Sequence, residues 1–408
     1  MKIYTNRLIV RFKTFDDLRT FKRESRPLST TQLYCFGRYV REGNLSQTAQ
    51  KLFNTAYVSH KSPKVSMAPL YQELKKDSRV AYVQYDQEYM LSTGTDPAQT
   101  TTGWWFNAIN SLQSLQPYAS IYPIKVAVID TGIDHKHHDI NQTTFIPENR
   151  RDFKKLKWVN DVLQNPNGDT INWNTNGDND LHGTHVAGII GALLNSTHTV
   201  GLANLATLMN LRAYPNATEI SLSTAMAYAI RKNAKVINAS WGTRVTSQNP
   251  NVGSSLQDLI DHANSKGLVV VVAAGNDGED VAGHVPARFE NVITVGSINA
   301  SPANEYIRAD SSNYGDKVIG APGVNISSLM ANDNSQMLNL SGSSMSAGFV
   351  SGLVARMLQK KPTIIPKDLT GINTATTVLS YIKRLPIQQD ANIIGQEMID
   401  VDSTLNNL

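Results

Sequence analysis

The sequence predicts an α/β protein, in which a small α+β unit precedes a large domain built on a parallel β-sheet with helices on both faces. Beyond residue 120, short apolar runs alternate with helical segments, which is the pattern of such a sheet. Before residue 92, strands of alternating polarity are interspersed with two helical stretches. The chain has 408 residues, which is long for one compact domain, so we expect two.

Each element of the first unit has its own local pattern. Residues 7–13 alternate in polarity and predict a strand, and Phe15–Glu24 have helical spacing. A second strand is predicted over 52–60, a short helix over 68–77 and a last strand over 79–85. These elements together predict a small α+β domain.

A polar, turn-rich stretch from Ser92 to Pro97 follows and is typical of a linker. We therefore divide the chain into domains of residues 1–95 and 96–408. Residues 1–90 hold 16 basic and 8 acidic residues, a balance of +8, and the remainder has a balance of −4. Opposite charges favour docking of the two parts. Because the basic residues are scattered rather than clustered, we expect no nucleic-acid partner.

The large domain is predicted from four apolar strands and two helices. The strands cover residues 124–129, 235–238, 268–274 and 292–296, and the helices cover 221–232 and 255–266. No stretch is long enough to span a bilayer, and the N-terminus has no apolar run of signal-peptide length. The single cysteine excludes an intrachain disulfide.

Three segments carry chemically informative residues. Asp130 ends an apolar strand and precedes a glycine turn in residues 126–132, VAVIDTG. His182 begins HGTHVAG, residues 182–188, and Ser344 lies in SGSSMSA, residues 341–347, before an apolar helical run. The order Asp, His, Ser is that of subtilisin, and other folds place the same three residue types in other orders.

These segments resemble the three signature motifs of the subtilases, and the resemblance extends over nearly all of residues 100–380. Asn238–Gly242 is similar to the substrate-binding strand of that family, and Ala273–Asn276 is similar to its oxyanion segment. The resemblance implies a subtilisin-like fold and a serine endopeptidase that hydrolyses peptide bonds in peptide or protein substrates.

By the same resemblance, Asp130, His182 and Ser344 form a catalytic triad. A serine hydroxyl is a poor nucleophile at neutral pH, so a neutral imidazole must accept its proton during attack. Asp130 would orient His182 and stabilise the imidazolium ion. The side chain of Asn276 and the backbone N–H of Ser344 would donate to the oxyanion.

The third motif departs from the family pattern. Ser343 replaces the usual Thr, Ser346 the usual Ala, Gly348 the usual Pro and Phe349 a common His. The missing proline removes a residue that is pre-set for the first helical turn. None of the changes removes a group that the reaction needs, so we expect activity. A catalytically impaired subtilase-fold protein that binds peptides is the alternative.

Other histidines allow other interpretations. His182 and His185 have metal-like spacing, but the Glu of the zinc-protease motif is absent, so we expect His185 to be structural. Aspartic proteases need two Asp-Thr-Gly or Asp-Ser-Gly triplets, and this chain has one. His135, His137 and His138 are expected in a solvated loop, with metal binding as the alternative.

Residues 193–199 resemble, without gaps, the high-affinity calcium loop of the family. The resemblance implies a structural Ca²⁺ held by the carboxylate of Asp139, the side chain of Asn195 and the carbonyl oxygens of Leu193, Thr197 and Thr199. A set of oxygen ligands suits this hard cation. An ordinary surface loop is the alternative.

The resemblance also assigns substrate contacts. It places Ser240, Trp241 and Gly242 beside the substrate backbone as an added strand, and Ala273, Ala274 and Gly275 around the side chain before the cut. Trp241 is bulkier than the usual residue and is expected to reshape that pocket. Asp277 and His284 lie where the family tunes the pocket.

Residues 1–91 resemble, more weakly, the subtilase propeptide, which is an inhibitor and folding chaperone with a ferredoxin-like fold. The best-matching piece is Arg79–Val83, similar to the final strand of the propeptide. The resemblance implies a monomeric, secreted zymogen that cuts itself between Met90 and Gln99. An unrelated accessory domain, and a cytosolic processing enzyme of narrow specificity, stay open as alternatives.

Overall fold

The structure of the protein is a computed structural model. It describes residues 3–24, 31–35, 55–60, 65–91, 103–109, 111, 122, 124–140, 149–154, 157–159, 162–164, 178, 181–195, 198–300, 305–366, 368–387 and 397–408. The linker from Ser92 to Pro97 and the calcium-loop residue Thr197 lie outside these ranges. No helix within them combines the length and the apolar character needed to cross a bilayer.

In its described residues, the N-terminal unit is an antiparallel sheet with two helices. Its elements are β1 (Ile3–Phe12), α1 (Phe15–Glu24), β2 (Thr31–Cys35), β3 (Thr55–His60), α2 (Ala68–Leu74) and β4 (Val80–Gln87). The strand order is β2-β3-β1-β4, with antiparallel pairing throughout, which is the split βαβ arrangement of a ferredoxin-like fold.

Alternate residues of this small sheet pack in two directions. Leu8 and Val10 of β1 belong to the core of the N-terminal unit, together with Val58 and Val83. Ile9, which points to the opposite face, belongs to a core that it shares with the large domain. The N-terminal sheet is therefore held between its own helices and the large domain.

The large domain contains a ten-stranded sheet. Its members are β6 (Lys125–Asp130), β7 (Arg150–Asp152), β10 (Thr207–Arg212), β11 (Val236–Ala239), β13 (Val269–Ala273), β15 (Ile293–Ala300), β16 (Tyr306–Arg308), β17 (Val318–Pro322), β20 (Lys383–Pro386) and β21 (Glu397–Asp400). The order is β20-β21-β17-β15-β13-β11-β6-β10-β7, with β16 on β15. All pairs are parallel except β20 with β21 and β16 with β15.

Three smaller groups of strands complete the domain. The sheet β14-β12-β5 consists of β14 (His284–Val285), β12 (Trp241–Arg244) and β5 (Met90–Leu91). Two hairpins are β8 (Lys157–Val159) with β9 (Val162–Gln164), and β18 (Ile326–Leu329) with β19 (Met337–Leu340). Strand β5 comes from the end of the N-terminal unit, so it links that unit to the large domain.

Helices cover both faces of the large sheet. They are α3 (Trp104–Ala108), α4 (His182–Gly191), α5 (Glu219–Arg231), α6 (Ser254–Ser265), α7 (Ser343–Lys360), α8 (Thr374–Tyr381) and α9 (Val401–Asn406). Val126 and Val128 of β6 share a core with α4 and α7. Ala127 and Ile129, on the other face, share a core with α5 and α6. The predicted α/β class, with a sheet covered on both faces, is confirmed.

Candidate active site

Asp130 and His182 meet at the carboxyl edge of the large sheet. Asp130 is the last residue of β6, and His182 is the first residue of α4. His182 Nδ1 lies 2.7 Å from Asp130 Oδ1, and both residues are buried. Because a carboxylate oxygen accepts, the proton of this bond belongs on Nδ1, which leaves Nε2 as the basic nitrogen of the ring.

A second carboxylate, that of Asp178, fixes the two segments that carry Asp130 and His182. Buried Asp178 accepts from the hydroxyl of Thr131 at 2.8 Å and from the backbone N–H of Thr184, in the first turn of α4, at 2.8 Å. Burial raises the pKa of the Asp178 carboxyl. Sequence reasoning missed this residue. Its contact with Thr131 joins residues 47 positions apart in the chain, so nothing in the local sequence indicates it.

Gly183 allows α4 to approach the end of β6 closely. A Cβ atom at this position would lie 2.0 Å from the carbonyl oxygen of Gly132. The backbone N–H of Gly183 also donates to the hydroxyl of Thr131 at 2.9 Å. The small residue after His182 is therefore required to bring the imidazole next to Asp130.

Ser344 lies in the first turn of α7 and contacts Ser240, the residue between β11 and β12. Its Oγ donates to the carbonyl oxygen of Ser240 at 3.1 Å, and Ser240 Oγ donates to the carbonyl oxygen of Ser344 at 3.2 Å. Asn238 Nδ2 in turn donates to Ser240 Oγ at 2.9 Å. The hydroxyl of Ser344 is thereby held at the strand that the sequence predicts to bind substrate.

Asn276 is oriented by the residue before Ser344. Asn276 Oδ1 accepts from the backbone N–H of Ser343 at 3.0 Å. Asn276 Nδ2 is buried and has no hydrogen-bond partner among the residues that the structure describes. A buried donor without a partner is costly, so this atom is suited to receive an acceptor that arrives with a substrate.

The unusual residues of the third motif do not interrupt α7, which is continuous from Ser343 to Lys360. Ser346 Oγ donates to the carbonyl oxygen of Ala321 at 3.0 Å. A Cβ atom at Gly348 would lie 3.3 Å from Ile189 Cγ2, so the glycine suits the close packing of α7 on α4. Phe349 is buried in the shared core. The start of α7 is therefore intact although position 348 is not a proline.

His185 sits one turn after His182 but faces the protein interior. His185 Nε2 lies 2.8 Å from the carbonyl oxygen of Ile326 and 2.9 Å from that of Leu338, so it donates to them. Burial lowers the pKa of His185 to about 3, which keeps the ring neutral. Its contacts are structural and hold α4 on the β18–β19 hairpin.

The expectation of a solvated loop at the other histidines is wrong for two of the three. His135 and His137 are buried, and only His138 is exposed. For His137 the reason is local pairing, because its Nδ1 accepts from the backbone N–H of Asp139 at 3.1 Å. No group of three or more His, Cys, Asp or Glu residues in the described part of the chain is placed to hold a metal.

The predicted substrate strand carries a segment of this same chain. Strand β5 pairs antiparallel with β12, with Leu91 opposite Trp241 and Met90 opposite Gly242. Trp241 is fully buried, and its indole N–H donates to the carbonyl oxygen of Ile129 at 3.0 Å. Its ring meets the ring of Tyr89 edge-on, with 5.7 Å between centroids. The Trp241 side chain therefore contacts the residue just before β5.

The segment expected to line the pocket lies beside Asn276. Ala273 and Ala274 are buried, and the carbonyl oxygen of Ala274 accepts from Asn313 Nδ2 at 2.9 Å. Gly275 has φ 106°, and a Cβ atom there would lie 2.4 Å from Asn313 Nδ2. Glycine is therefore required at position 275 on both counts.

Charged side chains surround the residue after Asn276. Asp277 lies 3.1 Å from His284 and 3.1 Å from Arg244, and Arg244 also lies 2.8 Å from Glu279. The sequence resemblance indicated Asp277 and His284 as residues near the pocket, but it did not indicate Arg244 or Glu279. Since their pairing depends on the fold, nothing in the local sequence indicates it.

The calcium-type loop brings its two predicted side-chain ligands, Asp139 and Asn195, together. Asp139 is buried, its Oδ1 accepts from Asn195 Nδ2 at 2.6 Å, and its Oδ2 lies 3.1 Å from His198 Nδ1. The backbone N–H of Leu193 donates to the carbonyl oxygen of Asp139 at 2.9 Å. A buried carboxylate beside a side-chain amide fits a hard divalent cation, once the Asn195 amide rotates to present its oxygen.

Comparisons with known proteins show the family of the chain. Residues 123–395 match the model of the subtilase family, peptidase S8. Subtilisin NAT of Bacillus subtilis subsp. natto is 33% identical over 306 residues, which span 72% of this chain and 68% of the relative. Subtilisin E of Bacillus subtilis (strain 168) shows the same identity and the same coverage.

Two solved structures share the fold. The epidermin leader peptide processing serine protease of Staphylococcus aureus matches with a TM-score of 0.69 at 20% identity, over 100% of this chain and 98% of that chain. Fervidolysin of Fervidobacterium pennivorans, a keratinolytic enzyme related to subtilisin, matches with a TM-score of 0.65 at 21% identity. That match covers 99% of this chain and 61% of fervidolysin.

Proposed function

The chain belongs to the subtilase family and is a subtilisin-like serine protease, and from this we propose that Asp130, His182 and Ser344 form its catalytic triad in a self-processing endopeptidase zymogen. The observation that carries the proposal is the buried hydrogen bond of 2.7 Å between His182 Nδ1 and Asp130 Oδ1. It leaves Nε2 as the base that a serine nucleophile requires.

In the first half of the reaction, Ser344 Oγ attacks the carbonyl carbon of the substrate, and His182 Nε2 takes the hydroxyl proton. The negative oxygen of the tetrahedral intermediate accepts hydrogen bonds from Asn276 Nδ2 and from the backbone N–H of Ser344. That backbone N–H belongs to the first turn of α7, where N–H groups have no partner within the helix and the helix dipole is positive.

In the second half, the C–N bond breaks, and the imidazolium of His182 gives its proton to the leaving amine. Water then repeats the sequence, losing a proton to His182 and attacking the acyl group on Ser344 Oγ. The acid product leaves when the proton returns to Ser344. Asp130 keeps its negative charge throughout and stabilises the imidazolium.

The N-terminal unit is proposed to be the inhibitor of the site. Strand β5 occupies the edge of β12, which is the place of a substrate backbone in peptide recognition by strand addition. Gln87 Nε2 donates to Thr243 Oγ1 at 2.7 Å, and Arg11 lies 3.2 Å from Asp258 on α6. These contacts support a precursor whose own chain blocks the groove until the segment after Leu91 is cut.

Calcium is proposed as a structural cofactor. Asp139, Asn195 and the carbonyl oxygens of Leu193, Thr197 and Thr199 would hold it. A bound cation would compensate the buried charge of Asp139 and rigidify the turn that follows α4.

Labelling of Ser344 tests the triad. The full-length chain is treated with a fluorophosphonate probe over time, and the labelled peptide is identified by mass spectrometry. Since only an activated serine reacts, we expect label on Ser344 that disappears in Ser344→Ala and in His182→Ala. Ser380→Ala, an exposed serine of α8, is the matched control and should label normally. Equal labelling of wild type and His182→Ala would contradict the triad.

A further inference from the structure

Tyr89 fills a buried pocket next to the proposed substrate groove. It immediately precedes β5, and its side chain is almost completely buried, at 1% exposure. Its backbone N–H donates to the carbonyl oxygen of Ala217 at 3.0 Å, and its ring lies edge-on to Trp241. Because β5 runs along the substrate strand, the pocket of Tyr89 belongs to the path of a substrate.

The wall of this pocket carries a carboxylate. The phenol of Tyr89 donates to Glu219 Oε2 at 3.2 Å, and Glu219, the first residue of α5, is fully buried. A single ring contact would accept any aromatic side chain. The carboxyl group at its hydroxyl end adds a chemical requirement, since a buried hydrogen-bond acceptor needs donors.

Glu219 is held in place by the large domain itself. Its Oε1 accepts from the backbone N–H of Ser255 at 3.2 Å and from the hydroxyl of Ser255, and its Oε2 accepts from the backbone N–H of Gly253 at 3.0 Å. The further donors to Oε2 are Tyr89 and Gln84, both from the N-terminal unit. When that unit leaves, the carboxylate stays fixed by α6 and faces the groove with acceptor capacity to spare.

We propose that Glu219 is a specificity-determining residue, which makes the protease select substrates with a tyrosine two residues before the residue that pairs with Trp241. The proposal rests on the proposed function, because it takes residues 89–91 as stand-ins for a bound substrate. Trp241 supplies the contact for the ring, and Glu219 supplies the acceptor for the hydroxyl.

The same geometry ranks the alternatives at this position. Phenylalanine keeps the ring contact but leaves the acceptor at Glu219 without its partner, so it should be cleaved about tenfold more slowly or worse. Leucine loses the edge-on ring contact as well. Aspartate and glutamate would bring a second negative charge next to Glu219 and should be the poorest.

Peptides copied from the chain itself test the proposal. Fluorogenic peptides of residues 86–95 are prepared with Tyr, Phe or Leu at position 89. The full-length chain is left to process itself, and kcat/KM is then measured and normalised to fluorophosphonate-labelled sites. Replacement of Met90 by Gln is the matched control, since the Met90 side chain is 58% exposed. We expect a Tyr/Phe ratio of about ten or more, a control effect within about twofold, and a ratio several-fold smaller in Glu219→Gln.

A second measurement does not depend on cleavage. In the uncleaved Ser344→Ala chain, Tyr89→Phe should lower the unfolding midpoint by about 2 °C when Glu219 is present and by clearly less in Glu219→Gln. A labelled enzyme with a Tyr/Phe ratio near one would overturn the specificity proposal while the protease assignment stands. Absence of label on Ser344 would instead defeat the proposed triad. The unfolding midpoints of the Tyr89 and Glu219 variants would then be the remaining test of the Tyr89 pocket. If Tyr89→Phe lowered the midpoint equally with and without Glu219, the proposed role of Glu219 would be overturned.

Discussion

Asn276 is tied to Ser343, the residue before Ser344, by a hydrogen bond of 3.0 Å from the backbone N–H of Ser343 to Asn276 Oδ1. Since the amide oxygen is used in this bond, the orientation of the amide group is fixed. Its nitrogen stays available for a substrate oxygen. The position of the proposed oxyanion donor is therefore coupled to the helix start that presents Ser344.

Replacement of Asn276 by Leu should remove one oxyanion donor with little change in volume. We expect kcat to fall about a hundredfold to a thousandfold, the magnitude known for subtilisin, with a much smaller change in KM. Steady-state kinetics on a peptide substrate measure both. Asn407→Ala, at an exposed position near the C-terminus, is the control. A variant with unimpaired kcat would show that Asn276 plays no part in the reaction.

The uncut chain should persist when the nucleophile is removed. Because the N-terminal unit lies on the proposed groove, we expect the wild type to lose its first segment by a cut between Met90 and Gln99. Ser344→Ala should stay at 408 residues. Intact mass spectrometry follows both chains during incubation, with Ser380→Ala as control. Equal shortening of the wild type and Ser344→Ala would assign the cut to another protease.

Docking of the N-terminal unit should weaken as pH rises. Glu219 and Asp86 are both buried at this junction, and burial raises the pKa of Glu219 to about 7 and that of Asp86 to about 6. These groups therefore keep protons in the docked state that they release when exposed, at ordinary pKa values of 4.5 and 3.8. The associated stability is fully present below about pH 4 and is lost as pH rises through 6 and 7, by at most about 1.4 kcal/mol per pH unit for each group.

Thermal unfolding of Ser344→Ala at pH 5 and pH 8 measures this loss. In the described part of the chain, the junction also holds Arg7 on Asp86, Arg11 on Asp258, and the phenols of the buried tyrosines. Burial raises the pKa of Asp258 as well, in the same direction as for Glu219 and Asp86. Burial holds the pKa values of Tyr57, Tyr82 and Tyr89 far above this range, so they stay neutral. Glu219→Gln should flatten the pH dependence. A midpoint that rises from pH 5 to pH 8 would contradict the assignment.

Calcium should stabilise the folded chain through Asp139. We expect Ca²⁺, added to Ser344→Ala that has been stripped with EDTA, to raise the unfolding midpoint by several degrees as its concentration increases. Asp139→Asn should remove most of this response, and Asp402→Asn, in the distant α9, should retain it. A midpoint that is the same with and without Ca²⁺ would leave the loop as an ordinary surface turn.

The strands with uninterrupted apolar runs were predicted more successfully than the strands that contain Asn, Gly or Pro. Residues 124–129 and 268–274 correspond to β6 and β13, because uninterrupted apolar runs have few other uses. Strand β10 was missed because Asn210 interrupts its apolar run. In the structure Asn210 is buried, and its amide donates to the carbonyl oxygen of Ile133. Strand β17 was missed because Gly320 and Pro322 argue against a strand.

In the candidate site, too, some residues could be predicted from local sequence and others could not. The residues proposed for chemistry could be predicted because each role admits few side chains in a recognisable local motif. Asp178 and Glu219 could not, since their roles depend on contacts that only the fold creates. Glu219, for example, binds the start of α6 at Gly253 and Ser255, more than 30 residues away in the chain.

Strand β5 has a consequence for how such a precursor is switched on. A cut beyond Leu91 breaks none of the hydrogen bonds by which β5 lies on β12, nor those that Gln84 and Tyr89 make to Glu219. Severing the chain and vacating the groove are thus separate events. The delay before the enzyme reaches its first foreign substrate would be set by the residence time of the severed fragment, and any condition that shortens this residence would start the enzyme.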